Sequence, residues 1–213
     1  MSDNKDQQCA FKIVLVGNSG VGKSSIISKY IDNQFSENYF SNVTMGIFYK
    51  DVTTNDGETI KLHIWDSSGQ ERYRVINKLE FQDSQCLIFV YDISNFQSFQ
   101  SIPEFWYEEA RKNVQENTLF YVVGNKSDLC DLQDVDETLR DEFLKEKGLK
   151  FKEVSARTGH NIKELFEDIA ECLQQLQKKN FLFPIFNSLN SSEISSKLLS
   201  RRSNKKLRKV SCC

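Results

Sequence analysis

The sequence lacks any apolar run that could cross a membrane, since no stretch approaches the roughly 20 consecutive apolar residues of a membrane-spanning helix. We also expect no signal peptide, because the polar start from Met1 to Gln8 has no apolar run. The cysteines have no zinc-site or disulfide spacing, as Cys9, Cys86, Cys130 and Cys172 stand singly. We therefore expect a cytosolic protein with reduced thiols.

Acidic residues are absent from the last part of the chain. Residues 197–213 hold seven of the 28 lysines and arginines, which leaves 21 basic and 30 acidic residues, a net charge of −9, in the remainder. A basic tail on an acidic body predicts attraction to an anionic membrane surface, and a solvated tail or a nucleic-acid arm is the alternative. We favour the membrane and expect no nucleic acid, because the chain ends in Cys212 and Cys213.

The apolar pattern indicates an α/β fold. Three apolar runs, Phe11–Val16, Cys86–Tyr91 and Leu119–Gly124, are typical of buried parallel strands, and helical patterns separate them. Two alternating segments, Lys50–Thr54 and Ile60–Trp65, flank a turn-forming Asn-Asp-Gly and predict one hairpin. The hairpin would add an antiparallel edge to the sheet.

The last helical pattern runs from about Asn161 to Leu176, with apolar residues on one face. The following residues are rich in serine and asparagine and then in basic residues, a composition that does not favour independent folding. We therefore expect a flexible N-terminus over residues 1–10, a folded domain over 11–177 and a flexible basic tail over 178–213.

A glycine-rich loop follows the first predicted strand. Residues Gly17–Ser24 match the P-loop pattern, and a helical pattern, Ser24–Ile31, follows them. Glycines let backbone N–H groups converge on phosphates, and the amino end of the helix adds positive potential. Lys23 is expected to contact the β- and γ-phosphates and assist catalysis, and the Ser24 hydroxyl suits Mg²⁺. The residues expected to bind nucleotide here are Ser19, Gly20, Val21, Gly22, Lys23, Ser24 and Ser25.

A second polar group follows the predicted strand Ile60–Trp65. Asp66 lies at the carboxyl end of that strand, where α/β sheets bind ligands, and is expected to hold Mg²⁺ through water. The N–H of Gly69 can meet the γ-phosphate, and the amide of Gln70 can orient an attacking water. Gln70 is therefore a predicted catalytic residue.

A third group predicts selectivity for guanine. Asn125, Lys126 and Asp128 follow the strand Leu119–Gly124. A carboxylate at Asp128 can accept hydrogen bonds from the N1–H and the exocyclic amine of guanine, whereas adenine offers neither donor and would leave the charge unpaired. The other residues expected around the base are Ser155, Ala156, whose N–H can meet the guanine O6, Arg157, and Phe35, which is placed to cover the base.

Together these motifs resemble the Ras superfamily of small GTPases over about Phe11 to Leu176. Within it the chain is similar to the Rab branch at Lys61–Asp66, Arg72–Arg74 and Phe89–Asp92, and in its Cys-Cys end. The resemblance implies an α/β fold with a mostly parallel six-stranded sheet, one antiparallel edge strand and helices on both faces. It implies a Mg²⁺-dependent switch between GTP and GDP that regulates vesicle traffic.

The resemblance also implies partners. These are exchange factors, GTPase-activating proteins, a prenylation escort, a GDP-dissociation inhibitor, and effectors that contact Tyr49, Trp65 and the region Gln70–Phe81. We expect a monomer. In this family a terminal cysteine pair is geranylgeranylated, so Cys212 and Cys213 are expected to carry two lipid chains, which anchor stably where one myristoyl-sized chain binds marginally. The protein would then cycle onto the cytosolic face of intracellular membranes.

The chain departs from the family at several positions. Aligning Thr44–Gly46 with the family's Thr-Ile-Gly makes Thr44 a ligand of Mg²⁺. The segment after the P-loop is then two residues longer than usual. An alignment without a gap places Asn42 at the position of that threonine instead. Ile47–Tyr49 replaces Val-Asp-Phe and Glu80-Phe81 replaces a tyrosine pair, which predicts altered effector binding. Ser67-Ser68 replaces Thr-Ala and adds a hydroxyl near the γ-phosphate. We expect this change to affect the rate of GTP hydrolysis more than the binding of the nucleotide.

Three functions remain as hypotheses. The first is a regulated hydrolase in which Thr44 and Gly69 hold the γ-phosphate and both loops relax when it leaves. Its turnover is expected to be slow because the sequence shows no internal arginine finger. The second is a non-hydrolysing scaffold bound to GTP or GDP, motivated by the loop before Thr44 and by Ser68. The third, an ATP-using P-loop enzyme, disagrees with Asn125 and Asp128.

Overall fold

A computed structural model describes residues 10–35, 46–67 and 81–179. Its centre is a six-stranded sheet in the order β2-β3-β1-β4-β5-β6, in which every pair is parallel except β2 with β3 at one edge. This confirms the predicted fold class. The strands are β1 (Ala10–Val16), β2 (Gly46–Thr53), β3 (Thr59–Asp66), β4 (Cys86–Asp92), β5 (Leu119–Asn125) and β6 (Lys150–Glu153).

Burial along each strand follows its place in the sheet. All seven residues of β4 are buried, because β4 has a strand on each side and packed cores on both faces. In β3 buried residues alternate with more exposed ones. Continuous apolar runs therefore predicted the central strands, and alternation predicted the strands nearer the edge.

The β2–β3 hairpin is confirmed, but β2 is longer than predicted. It begins at Gly46, four residues before the predicted start at Lys50, because its pairing with β3 continues through Tyr49↔His63 to Gly46↔Asp66. The turn closes with Gly57 at φ +83°, a left-handed backbone that glycine adopts without strain. The longer strand brings residues 46–49 beside the end of β3.

The helical segments lie between the strands and after the last strand. They are α1 (Lys23–Asp32), α2 (Phe96–Ser101), a π-helical turn (Ile102–Trp106), α3 (Tyr107–Asn113), a 3₁₀-helix (Ser127–Leu132), α4 (Glu137–Lys147) and α5 (162–179). The chain divides into the units Met1–Leu173 and Gln174–Cys213, and residues 174–179 of the second unit are helical. None of the helices within 10–35, 46–67 and 81–179 is both long and apolar enough to cross a membrane.

Two hydrophobic cores lie on opposite faces of the sheet. Ile13 and Leu15 of β1 belong to a core that includes residues of α1 and of α5 up to Leu173. Val14 and Val16 belong to the other, which includes residues of α2, α3 and α4. Alternate β1 residues thus point to opposite faces of the sheet. Because β1, β3, β4 and β5 are parallel, the loops that follow them lie at the same end of the sheet.

Candidate functional site

The P-loop lies between β1 and α1, against the ends of β4 and β5. Gly17 has φ +145°, and a Cβ there would stand 2.2 Å from the Val90 carbonyl oxygen. Gly22 has φ +95°, and a Cβ there would stand 2.3 Å from the Asn125 side-chain nitrogen. Only glycine fits at either position, so the two glycines allow the loop backbone to lie directly against the neighbouring strands.

Lys23 lies beneath the loop and is 3 % exposed. Its Nζ donates hydrogen bonds to the carbonyl oxygens of Gly17, over 2.8 Å, and Asn18, over 2.9 Å. Ser19 and Gly20 form the exposed crest of the loop, whereas Val21 is buried. The loop therefore curls around the lysine ammonium, and its crest faces solvent.

The amino end of α1 meets the same loop. Its N-cap, Gly22, provides no side-chain hydrogen bond, and the first turn of α1 contains no acidic residue. The first turn of α1 therefore contributes no carboxylate of its own that would offset the positive potential of the helix amino terminus. Backbone N–H groups and the Lys23 ammonium together suit phosphate oxygens.

Ser24 and Asp66 bring two hard oxygen donors together. The Ser24 hydroxyl, in the first turn of α1, donates a hydrogen bond to the Asp66 carboxylate at the end of β3 over 2.5 Å, and each residue is 8 % exposed. A hydroxyl and a carboxylate are oxygen ligands of the kind that Mg²⁺ prefers, with phosphate oxygens and waters completing its shell. The donor set therefore fits the predicted Mg²⁺.

Asn125 connects the P-loop with the loop after β6. It is 1 % exposed, its Nδ2 donates to the Val21 carbonyl over 2.8 Å, and its Oδ1 accepts from the Ala156 N–H over 3.1 Å. A buried amide that satisfies one backbone group in each loop fixes the distance between them. Two motifs that lie far apart in the sequence are thus joined at one site.

Asp128 and Ser155 link the segment after β5 with the loop after β6. The Ser155 hydroxyl donates to Asp128 Oδ1 over 2.5 Å and accepts a hydrogen bond from the Thr158 N–H over 3.1 Å. Ser155 is fully buried, whereas Asp128 is exposed. One oxygen of the Asp128 carboxylate is therefore held by a rigid hydroxyl, and the residue still faces solvent.

Lys126 is positioned by a carboxylate that the motif analysis did not include. Lys126 has φ +67°, and its Nζ donates to Asp92 Oδ2 over 2.5 Å. Ser94 donates to Asp92 Oδ1 from both its N–H and its hydroxyl. Burial alone would raise the pKa of the Asp92 carboxyl, but hydrogen bonds from Lys126 and Ser94 outweigh it and hold the pKa below its ordinary value.

The remaining predicted residues lie in different surroundings. Ser25 is half-buried in α1, Arg157 is exposed beside Ala156, and Phe35 follows α1 with 38 % of its surface exposed. Several predicted positions lie outside the described residues, so their roles stay predictions. These are Asn42, Thr44, Ser68, Gly69, Gln70, Cys212 and Cys213.

The predicted effector residues lie partly on the surface of the sheet. Tyr49 is 62 % exposed and packs edge-on against His63, while Trp65 is half-buried with the Lys12 ammonium 4.1 Å from its ring centroid. Phe81 is fully buried in a hydrophobic core. Phe81 therefore packs inside the protein, and the rest of the predicted segment, residues 70–80, lies outside the part that the structure describes.

Sequence motifs missed two further groups at this site. Asp92 was noted only as part of a Rab-like segment, and Asn18 only as a residue within the P-loop range Gly17–Ser24. The Asn18 side chain is hydrogen-bonded to Ser101 and to Trp106. The sequence hinted at this contact only through Pro103, which lies between Ser101 and Trp106 and interrupts an otherwise helical pattern.

Comparison with known proteins agrees with this geometry. The sequence model of the Ras family matches residues 12–175. A relative, "Ras-related protein RabF1" of Dictyostelium discoideum, is 37 % identical over 177 residues, which cover 82 % of this chain and 90 % of the relative. The chain therefore belongs to the Ras family of small GTPases.

Proposed function

We propose that this protein is a Rab-type molecular switch that binds GTP and GDP with Mg²⁺, hydrolyses GTP slowly and regulates vesicle traffic at membranes. One observation carries the nucleotide part of the proposal: Asn125 joins the P-loop at Val21 to the Ala156 loop through two hydrogen bonds. A phosphate-binding loop and a predicted base-binding loop thus lie at one end of the sheet, as a single nucleotide requires.

Each part of the site has a proposed task. Lys23 and the N–H groups of the P-loop bind the β- and γ-phosphates, and Asp128 selects guanine. Ser24 and Asp66, with Thr44, would hold Mg²⁺, which when bound offsets the negative charge of the phosphates. Gln70 orients the attacking water. Thr44 and Gly69 contact the γ-phosphate, so that its loss releases both segments and changes the surface offered to effectors.

Single-turnover phosphate release tests the hydrolase. The wild-type chain loaded with GTP and Mg²⁺ should release one phosphate per nucleotide slowly, and Gln70→Leu should be at least about tenfold slower, because the attacking water loses its orienting amide. Gln100→Leu is a matched control, since Gln100 is exposed on α2. Equal rates in wild type and Gln70→Leu would support the non-hydrolysing scaffold. Displacement of bound GTP by ATP would support the ATP-using enzyme.

Membrane attachment is proposed through lipid chains on Cys212 and Cys213. Two chains bind a bilayer stably, and the seven neighbouring cations each contribute about 1 kcal/mol near an anionic leaflet. A tagged full-length chain should partition with membranes, and Cys212→Ser/Cys213→Ser should remain in the supernatant. Cys130→Ser is the control, because Cys130 is an exposed cysteine elsewhere in the fold. Membrane recovery of the double variant at the wild-type level would contradict lipid anchoring.

The effector surface is proposed around Tyr49 and Trp65, together with residues 70–80, since Phe81 itself is buried. Tyr49 is exposed on edge strand β2, and Ile47, also exposed, pairs with Trp65 across the hairpin. Exposed apolar side chains grouped on one face are typical of a partner-binding surface. Exchange factors, GTPase-activating proteins, an escort protein and a GDP-dissociation inhibitor complete the proposed set of partners.

A further inference from the structure

The helical stretch between β4 and β5 contains a π-helical turn. α2 ends at Ser101, the π-turn covers Ile102–Trp106, and α3 begins at Tyr107. Pro103, at the start of the turn, has no N–H to donate, and the Tyr107 N–H donates to the Ile102 carbonyl five residues back. A π-turn accommodates one extra residue and so changes the direction in which the following side chains project.

The turn brings the Trp106 indole to the P-loop. Trp106 is 5 % exposed, and its Nε1 donates to Asn18 Oδ1 over 2.9 Å. The Asn18 Nδ2 donates to Ser101 Oγ over 2.9 Å, and Ser101 Oγ in turn donates to the Gln97 carbonyl. Both ends of the Asn18 amide are therefore held by residues at the two ends of the π-turn: Ser101 directly precedes it, and Trp106 is its last residue. We refer to Asn18, Ser101 and Trp106 as the clamp.

The clamp holds the P-loop residue that directly follows Gly17. Asn18 follows Gly17, whose φ of +145° lies in a region that glycine enters easily and other residues rarely. The Asn18 carbonyl accepts a hydrogen bond from Lys23 Nζ, and its neighbour Ser19 is exposed. A side chain anchored from outside the loop therefore restricts backbone groups that surround the phosphate-binding lysine.

We propose that Trp106 and Ser101 are positioning residues of the P-loop, which hold Asn18 so that the loop keeps its phosphate-binding conformation and releases GDP slowly. The inference rests on the proposed binding of GDP by this loop. Neither residue touches the nucleotide in this scheme. Their effect comes from preorganisation, because a loop that is already ordered loses less entropy when it binds its ligand.

The test is the rate of GDP dissociation from the full-length protein with Mg²⁺, followed with a fluorescent GDP analogue. Trp106→Phe removes the indole N–H and retains an aromatic ring, and it should release GDP about five- to tenfold faster, as expected for the loss of one buried hydrogen bond. Tyr107→Phe is the matched control, because it removes one polar group from the adjacent residue, and it should release GDP at the wild-type rate. A Trp106→Phe rate equal to wild type would overturn the inference.

A double variant separates positioning from general loosening of the fold. In an Asn18→Ala background the amide is already absent, so adding Trp106→Phe should not accelerate GDP release further. Acceleration by the same factor in both backgrounds would show that Trp106 acts independently of Asn18 and would overturn the clamp. A wild-type chain that fails to bind GDP would instead contradict the proposed function, so the two failures are distinguishable.

Discussion

The hydroxyl of Ser24 donates to the carboxylate of Asp66 over 2.5 Å and joins the first turn of α1 to the end of β3, 42 residues further along the chain. Both side chains are nearly buried beside the P-loop. The contact brings the two oxygen donors proposed for Mg²⁺ within hydrogen-bonding distance of each other. It therefore makes the dependence of nucleotide binding on Mg²⁺ testable at single atoms.

Ser24→Ala should weaken the effect of Mg²⁺ on GDP retention. The variant loses a hard oxygen ligand, and we expect GDP dissociation to be fast both with Mg²⁺ and after chelation by EDTA, whereas wild-type dissociation should accelerate at least about tenfold on chelation. Dissociation of bound GDP provides the measurement. Ser28→Ala, in the next turn of α1, is the control and should behave as wild type. A normal EDTA response in Ser24→Ala would argue against this ligand.

Gly22→Ala should destabilise the fold more than Gly20→Ala. Both glycines have positive φ, +95° and +81°, so alanine at either position is expected to cost about 1–2 kcal/mol of backbone strain. Only at Gly22 would the new Cβ also collide with the Asn125 side chain, 2.3 Å away, whereas at Gly20 nothing lies within 4 Å. Urea unfolding of both variants without nucleotide measures the difference. Equal destabilisation would show that the Asn125 side chain can move away from the new Cβ without loss of stability.

Asp128→Asn should exchange guanine for xanthine. The carboxylate is proposed to accept from the guanine N1–H and exocyclic amine, whereas an asparagine amide can accept from N1–H and donate to the oxygen that xanthine carries in place of the amine. We expect GDP affinity to fall by at least about 100-fold and xanthosine diphosphate to bind more tightly than GDP. Competition binding with both nucleotides provides the measurement, with Asp131→Asn as a control on the same 3₁₀-helix. Unchanged preference for GDP would place base recognition elsewhere.

Motifs whose residues are close in sequence were predictable, because their chemistry needs particular residue types directly after a strand. Asp66, Asn125 and the P-loop each lie at the end of the strand that the apolar pattern predicted. The pattern could also predict their convergence, since parallel strands of an α/β sheet direct their carboxyl ends to one edge. The fold class and most of the candidate site could therefore be predicted from motifs that directly follow predicted strands.

Features that depend on tertiary pairing were not predictable. The early start of β2 is decided by hydrogen bonding to β3, and Ile47–Tyr49 has no alternating pattern to indicate it. Trp106 meets Asn18 across 88 positions, and Lys126 meets Asp92 across 34. Such contacts leave no local signal in a single sequence, because the residues next to each partner in the chain do not show which distant residue it will contact.

Asp92→Asn should lower the free energy of unfolding at neutral pH, and the difference from wild type should shrink as the pH becomes acidic. The pKa of Asp92 is lowered in the folded protein from its ordinary value of 3.8, so its ionised form stabilises the fold above that pH, and the contribution is lost as pH falls through the folded-state pKa. Removing the charge that receives the Lys126 hydrogen bond is expected to cost about 1.5–3 kcal/mol at pH 7. Lys126 would then be less restrained beside the proposed base site.

Urea unfolding at pH 7, 5 and 3.5 measures this dependence. The difference between wild type and Asp92→Asn should be constant from about pH 7 to 5, because both folded and unfolded Asp92 are ionised there, and should narrow below about pH 4. Asp131→Asn, at an exposed position, is the control for the loss of an aspartate carboxylate elsewhere in the fold. A difference that persists unchanged at pH 3.5 would mean that Asp92 stabilises the loop through its shape and its hydrogen bonds from Ser94, because the charge that pairs with Lys126 would then contribute nothing.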